Sequence, residues 1–191
     1  MQRRRYQSYD EYRAHQADKI GRPGMREKLR ARYAADVRRF AQRFTELAGI
    51  VAVGAKALCL GARLGAEVQA LRLCGYDAIG IDLVPHPPLV IAGDMHAAPF
   101  GDGEFDLVYT NSLDHVYELD RFAAEVRRLL TRPGWLAVQL AIANFGSWES
   151  MRIDSVEEFL QGMDGFAEMS RSDNGKPPPG LRVEMLLEIV H

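Results

Sequence analysis

A glycine-rich segment and a later aspartate have the types and spacing of a nucleoside-binding site. Gly61-Ala62-Arg63-Leu64-Gly65 follows a short apolar run, where a predicted strand turns into a helix. Small residues there let the backbone approach a ligand, and the free N–H groups of the helix start face it. Asp82, 21 residues after Gly61, ends the second predicted strand, a spacing at which a carboxylate reaches ribose hydroxyls. The pattern predicts a nucleoside site, against the alternative of a plain capping turn beside an exposed aspartate.

A histidine after the fourth predicted strand is a candidate general base. Ligands meet at the carboxyl ends of parallel strands, and His115 lies there with Asp114 beside it. An imidazole can take a proton from an oxygen or nitrogen nucleophile near neutral pH. The alternative is that His115 only lines the pocket. Asp94 and His96 offer two ligand atoms in a turn, which is weak evidence for a metal ion, so no metal site is predicted.

Strands and helices alternate from residue 56 onward and position these groups. The predicted strands are Lys56–Leu60, Asp77–Leu83, Leu89–Ala92, Phe105–Thr110 and Leu136–Ala141, and the predicted helices are Ala66–Cys74 and Leu119–Leu130. This alternation predicts a parallel sheet with helices on both faces. A short capped helix is expected after Ser155. Phe166–Ser170 and Leu181–Val190 are predicted strands with no helix between them, and such a pair is antiparallel in its simplest form.

The residues before this sheet are predicted to form a helical cap over 1–48. Within it, residues 8–18 and 25–48 are expected to be helical, because apolar side chains from Leu29 to Leu47 recur at spacings of three and four. Tyr6, Tyr9 and Tyr12 recur at threefold spacing in or just before the first helix. They belong either to a solvated or core-facing helix or to a lid over a bound acceptor.

The charge is divided unevenly along the chain. The 191 residues carry a net charge of −2, but residues 1–43 hold 13 basic and 5 acidic side chains, whereas residues 44–191 hold 11 and 21. The basic part suggests nucleic acid as a possible partner. Its arginines are scattered, however, which favours a structured helix over a basic tail. The 47% hydrophobic content is ordinary for a globular protein. Cys59 and Cys74 are expected to be reduced core residues.

The sequence carries no sign of a membrane segment. No run approaches the 18 apolar residues that a membrane span needs. The N-terminal residues also lack the apolar segment of a signal peptide. A cytoplasmic protein without a membrane partner is therefore expected.

Four segments resemble those of class I S-adenosylmethionine-dependent methyltransferases, across about residues 50–190. They are ALCLGARLGAEV (57–68), AIGIDL (78–83), GDMHAAPFGDGEFDLVYTNSLDH (93–115) and EVRRLLTRPGWLAVQ (125–139). The third is the most specific, because its Gly-Asp pair, Pro-Phe and acidic turn before Phe-Asp-Leu-Val are far more typical of methyltransferases than of dehydrogenases. The resemblance implies a doubly wound, Rossmann-like α/β domain over 49–191. Its seven strands would have the order 3-2-1-4-5-7-6, with strand 7 antiparallel.

The same resemblance implies S-adenosylmethionine as the cofactor and assigns residues to it. The turn would bind the methionine part of the cofactor, Asp82 would bind its ribose, and the Asp94 segment would bind its adenine. The residues after the fourth strand would face the amino group of the cofactor and the acceptor. The cofactor-binding set is Gly61, Ala62, Arg63, Gly65, Asp82, Leu83, Asp94, Met95, His96, Asn111 and Ser112.

Two positions depart from the commonest pattern of this family. Cys59 stands where many members have Asp or Glu, and Arg63 replaces the middle glycine of the turn. Arg63 could pair with the cofactor's carboxylate, since guanidinium suits a charge-assisted bond. The alternatives are a weak surface pair with Glu67, four residues along the helix, or a weakened cofactor site.

The leading functional hypothesis is methyl transfer from S-adenosylmethionine to an oxygen or nitrogen nucleophile of a small molecule. The compact chain has no room for a separate recognition domain, and the basic cap makes an anionic acceptor worth testing. One alternative is a non-catalytic, methyltransferase-like binding subunit, suggested by Cys59 and Arg63. Another is a nucleic-acid methyltransferase, which is disfavoured because Thr110-Asn111-Ser112-Leu113 is not an Asn-Pro-Pro-Tyr-type motif.

Overall fold

A computed structural model describes residues 1–22, 24–178 and 180–190. In chain order the elements are β1 (Gln2–Arg3), α1 (Tyr9–Gly21), α2 (Met25–Phe44), β2 (Lys56–Leu60), α3 (Ala66–Leu73), β3 (Asp77–Asp82), β4 (Val90–Ala92), β5 (Phe105–Thr110), α4 (Leu119–Leu129), β6 (Leu130–Ala141), β7 (Met151–Arg152), α5 (Val156–Gln161), β8 (Phe166–Asp173) and β9 (Arg182–Ile189). Single 3-10 turns follow α2 and β5 at Thr45–Gly49 and Leu113–His115.

The central sheet has seven strands in the order β4-β3-β2-β5-β6-β9-β8. Strands β2 to β6 run parallel, and β9 is antiparallel to both β6 and β8. Numbered by themselves along the chain, the seven strands have the order 3-2-1-4-5-7-6. The predicted α/β sheet is therefore confirmed. Its parallel strands all end at one edge, which is where such sheets bind ligands.

Helices cover the two faces of the sheet and form two cores. On one face, α4 and α5 bury Phe122, Val126 and Phe159 against the sheet. On the other, α2 and α3 bury residues such as Phe40 and Phe44, which are each 2% exposed. Burial of a side chain of this size contributes roughly 1.5–3 kcal/mol. These contacts fix the strands whose ends carry the candidate site residues.

Two element boundaries differ from the prediction by four residues or more. The second helix ends at Phe44 rather than at residue 48, because the hydroxyl of Thr45 bonds back to the carbonyl of Gln42 and a 3-10 turn follows. Strand β6 begins at Leu130 rather than at Leu136. Its ladder with β5 is irregular between these points, and the extra residues are absorbed as a bulge, a feature that hydrophobic patterning does not reveal.

The N-terminal arm is paired with the rest of the molecule, which the sequence did not predict. Strand β1 runs antiparallel to β7 in a separate two-stranded sheet. The side chain of Arg4 extends this contact by donating to the carbonyl of Glu149. Helix α1 is thereby brought against the carboxyl edge of the central sheet. Among the described residues, no helix is both long and apolar enough to cross a membrane.

Candidate active site

A narrow cavity lies at the carboxyl ends of the parallel strands, between the sheet and α1. Its volume is about 60 Å³. Each of β2, β3, β4 and β5 contributes residues from its end to the wall, and α1 closes the cavity from above. The lining residues are Tyr12, Gln16, Lys19, Ile20, Gly61, Arg63, Asp82, Leu83, Gly93, Asp94, Met95, Ser112 and His115.

The turn after β2 leaves no space for side chains at its glycines. Gly61 has φ +72°, and a Cβ there would lie 2.9 Å from the Ser112 hydroxyl oxygen. Gly65 begins α3 with φ +81°, and its Cβ would lie 2.8 Å from that of Leu89. Only glycine adopts this backbone readily. The turn therefore presents bare backbone at Gly61, as a ligand lying close to the chain requires.

Asp82 is held by the same turn. Its carboxylate accepts from the backbone N–H of Arg63 at 2.9 Å and from that of Val84 at 3.0 Å. Burial raises the pKa of Asp82, and these two hydrogen bonds oppose the shift. Each carboxylate oxygen has two lone pairs, so acceptor positions remain for hydroxyl groups of a ligand.

Asp94 lies on the opposite wall of the cavity, where Tyr9 of α1 contacts it. The hydroxyl of Tyr9 donates to Asp94 at 2.8 Å, and the backbone N–H of His96 donates at 2.9 Å. Burial raises the pKa of Asp94, but the hydrogen bonds from His96 and Tyr9 outweigh it and hold the pKa at about 2. The Tyr9 ring packs on Tyr117 with a centroid distance of 5.1 Å. Asp94 is thus an anion that fastens α1 to the sheet.

His115 lies between this cavity and the next one, in a defined tautomer. Its Nδ1 lies 3.0 Å from the carbonyl oxygen of Trp148, and because a carbonyl only accepts, Nδ1 carries the proton. Its Nε2 lies 2.9 Å from Nζ of Lys19, which donates to the ring's lone pair. Burial lowers the pKa of His115; Asp114 opposes this shift, and the charges of Lys19 and Arg63 add to it. The imidazole is therefore neutral at pH 7.

A second cavity of about 380 Å³ adjoins the first and shares Lys19, Arg63 and His115 with it. All of its lining residues except Ala141 carry polar or charged side chains: Lys19, Arg32, Arg39, Arg43, Arg63, Asn111, Asp114, His115, Gln139, Asn144, Glu149 and Arg182. We call it the arginine-lined cavity. On its wall, Asp114, His115 and Glu149 place one potential metal-ligand atom each within 4.8 Å of one another. Asp114 is bonded to the amide of Asn144 at 2.8 Å.

Most of the predicted site residues line the first cavity, but four do not. Ala62 is buried in the core beneath α2, and Gly65 packs against Leu89. His96 is buried behind Asp94, where its Nε2 accepts from the backbone N–H of Tyr117. Asn111 faces the arginine-lined cavity and donates to Glu67 at 3.0 Å.

Gln16 and Lys19 of α1 are site residues that the sequence did not indicate, whereas Tyr12 was a candidate for part of a lid. Tyr12, Gln16 and Lys19 line the first cavity. They lie at spacings of four and three, so they share one helical face. That spacing was the available signal. It does not show which part of the molecule the face contacts.

The comparison with protein families matches the central part of the chain. Residues 58–138 fit the family model of a methyltransferase domain. The matched range contains the turn, Asp82, the Asp94 segment and His115. No curated protein matches the sequence.

Solved structures share the fold of this chain at low identity. The 1,6-didemethyltoxoflavin-N1-methyltransferase of Burkholderia thailandensis, with bound 1,6-didemethyltoxoflavin and S-adenosylhomocysteine, is 17% identical with a TM-score of 0.77, over 98% of this chain and 93% of that one. The geranyl diphosphate C-methyltransferase of Streptomyces coelicolor A3(2), in complex with Mg²⁺, geranyl diphosphate and S-adenosylhomocysteine, is 16% identical with a TM-score of 0.63, over 91% and 88%.

The same fold also serves a different reaction. The [4+2]-cyclase SpnF is 15% identical with a TM-score of 0.61, over 78% of this chain and 80% of that one. This fold alone therefore does not identify the reaction, which depends on the residues of the site.

Proposed function

We propose that this protein is an S-adenosylmethionine-dependent methyltransferase whose acceptor is a small molecule with an oxygen or nitrogen nucleophile. The observation that carries the proposal is the convergence of the bare turn at Gly61, the buried carboxylate of Asp82 and a neutral His115 at one cavity. The first two groups suit a nucleoside cofactor, and the third suits proton removal.

The described residues fit the cofactor. Backbone without side chains at Gly61 permits close approach, and Asp82 retains acceptor positions for ribose hydroxyls. Arg63 lies within the turn, where its guanidinium is suited to a ligand carboxylate. When bound, S-adenosylmethionine supplies an activated methyl group on its sulfonium. The protein then has to position the acceptor and accept its proton.

His115 is the proposed base. Its Nδ1–H is fixed by the Trp148 carbonyl, so Nε2 is the atom that accepts a proton. Lys19 donates to that lone pair in the present arrangement. An acceptor that draws the Lys19 ammonium away frees Nε2 for proton removal. The low pKa of His115 keeps the ring in the required neutral form.

A small molecule is favoured by the size of the adjoining space. The arginine-lined cavity of about 380 Å³ is within the usual range for small-molecule pockets, roughly 300–1,000 Å³. The two structurally similar methyltransferases, by their names, act on 1,6-didemethyltoxoflavin and geranyl diphosphate, which are both small molecules.

Calorimetry with S-adenosylhomocysteine tests the cofactor part of the proposal. We expect saturable heat with the wild type and about tenfold weaker binding in Asp82→Asn, because a hydrogen bond to a carboxylate contributes roughly 1.5–3 kcal/mol. Asp77→Asn, at the exposed start of the same strand, should bind as the wild type does. Absence of saturable heat in the wild type would refute the proposal.

A non-catalytic binding protein is the second candidate, and Arg63 at the turn is the observation that favours it. The two candidates differ in what happens to an acceptor. Incubation with S-adenosylmethionine and a pool of candidate acceptors should yield a product heavier by one CH₂ group. Cofactor binding without any such product across the pool would favour the binding protein.

A further inference from the structure

The arginine-lined cavity has more positive than negative charge. Six cationic side chains line it, namely Lys19, Arg32, Arg39, Arg43, Arg63 and Arg182, together with the carboxylates of Asp114 and Glu149. Asp36 pairs with Arg32 at 2.6 Å and with Arg39 at 2.9 Å, and Glu184 pairs with Arg43 at 2.6 Å. The lining itself thus carries six cations and two carboxylates, and the nearby Glu67 and Asp82 also interact with the charge of Arg63.

Particular side chains of the cavity are available to pair with an anion. Within residues 1–22, 24–178 and 180–190, neither Arg63 nor Arg182 forms an ion pair. Arg39 shares its single carboxylate partner with Arg32. The charge of Arg63 also lowers the pKa of Lys19, in addition to the effect of burial. Like charges held together in a cavity favour an anionic ligand, which lowers their mutual repulsion.

The shape of the site restricts that anion to part of a small molecule. The cavity is bounded by α2, the turn after β2, the loop after β5 and the start of β9, and it opens to the first cavity at Lys19, Arg63 and His115. A ligand with its anionic group near Arg39 and Arg182 can extend its other end to His115. The anionic group of the ligand would thus be bound at one end of the site, and its proton would be removed at the other end, beside His115.

We propose that the arginine-lined cavity binds the phosphate group of a phosphorylated acceptor, through Arg39 and Arg182. This inference rests on the proposed function, since it assigns the substrate class of that same site. A phosphate monoester carries about −1.5 to −2 charges at pH 7 and can therefore pair with both Arg39 and Arg182, whereas a carboxylate carries a single charge. Guanidinium groups suit phosphate because they donate two parallel hydrogen bonds.

Two sequential titrations of the full chain test the proposal. S-adenosylhomocysteine is added first, in phosphate-free buffer, and phenyl phosphate is then titrated into the saturated protein. We expect saturable binding of phenyl phosphate that weakens about tenfold in Arg39→Gln and in Arg182→Gln. Arg182→Lys, which retains the charge, should lose less. In Arg38→Gln, an exposed neighbour on α2 that lines neither cavity, binding should be unchanged.

The first titration separates this proposal from the proposed function. S-adenosylhomocysteine should bind equally to the wild type and to the Arg39 and Arg182 variants, which also confirms that they fold. Cofactor binding without saturable heat from phenyl phosphate would overturn the phosphate site alone. Benzoate that binds as tightly as phenyl phosphate would also overturn it, in favour of a carboxylate. Failure of cofactor binding in the wild type would overturn the proposed function.

Discussion

Arg63 shows how one residue can serve both cavities at a conformational cost. Its φ is +50°, and a left-handed backbone at a residue other than glycine costs roughly 1–2 kcal/mol. The same conformation directs its N–H to Asp82 at 2.9 Å and leaves its side chain on the walls of both cavities. A glycine would relieve the strain but would remove the charge. The turn therefore gains a guanidinium group by having arginine in place of the usual glycine.

The protonation of His115 provides a prediction at the same scale. Burial and the positive charge of Lys19 keep its pKa below 6.5, so the ring charges only when the pH falls below that value. Lys19→Met removes one cause and should raise the midpoint of the His115 NMR titration. Lys28→Met, on the exposed surface of α2, should leave it unchanged. A midpoint at or above 6.5 in the wild type would contradict the neutral base.

Helix α1 closes the first cavity, so its attachment controls access. The present space of about 60 Å³ is far below the roughly 300 Å³ of a small ligand pocket. We therefore expect α1 to move outward when a nucleoside cofactor binds. The contacts of α1 are mostly polar, which suits such a movement. They include hydrogen bonds of Tyr9, Tyr12, His15, Gln16 and Lys19, the ion pair of Arg13 with Asp94, and the ring contacts of Tyr9 and Tyr12 with Tyr117.

Tyr9→Phe tests this attachment at the scale of the element. The variant loses the hydrogen bond to Asp94, and a bond to a charged group contributes roughly 1.5–3 kcal/mol. We expect the amides of α1 to exchange hydrogen about tenfold or more faster. Tyr117→Phe is the matched control, because that ring lies in the same cluster and its hydroxyl has no hydrogen-bond partner in the described part of the chain. Equal exchange in the two variants would contradict the role of Tyr9.

The elements show what a sequence of this kind can predict. Strand β2, its glycine turn and Asp82 were predictable because the turn and the carboxylate follow from local patterns. Lys19 was not predictable as a site residue, since its contact with His115 joins residues 96 positions apart. The same holds for Asn111, whose place directly after the fourth strand was clear but whose side chain faces the arginine-lined cavity. Local patterns define elements, and packing between distant elements completes the site.

Over the whole molecule, much of the basic charge of residues 1–43 is directed inward or paired. Arg4 donates to a carbonyl of the main domain, Arg13 lies 3.4 Å from Asp94, and Arg43 pairs with Glu184. Arg39 and Lys19 face the arginine-lined cavity. The segment is therefore not a free basic arm. Its charge is used to attach the cap and to line a pocket for an anion.

This distribution of charge predicts weak binding to nucleic acid. Affinity for DNA or RNA depends on many Lys and Arg side chains that contact phosphates together, and non-specific Kd values are typically 10⁻⁴–10⁻⁶ M at physiological salt. We expect fluorescence anisotropy with labelled duplex DNA and single-stranded RNA to give a Kd no tighter than about 10⁻⁴ M at 0.15 M salt. A micromolar Kd that weakens steeply with salt, and is lost in Arg26→Gln/Arg30→Gln on the exposed surface of α2, would instead support a nucleic-acid acceptor. The inward-facing arginines could not explain such a result, because they are unchanged in that variant.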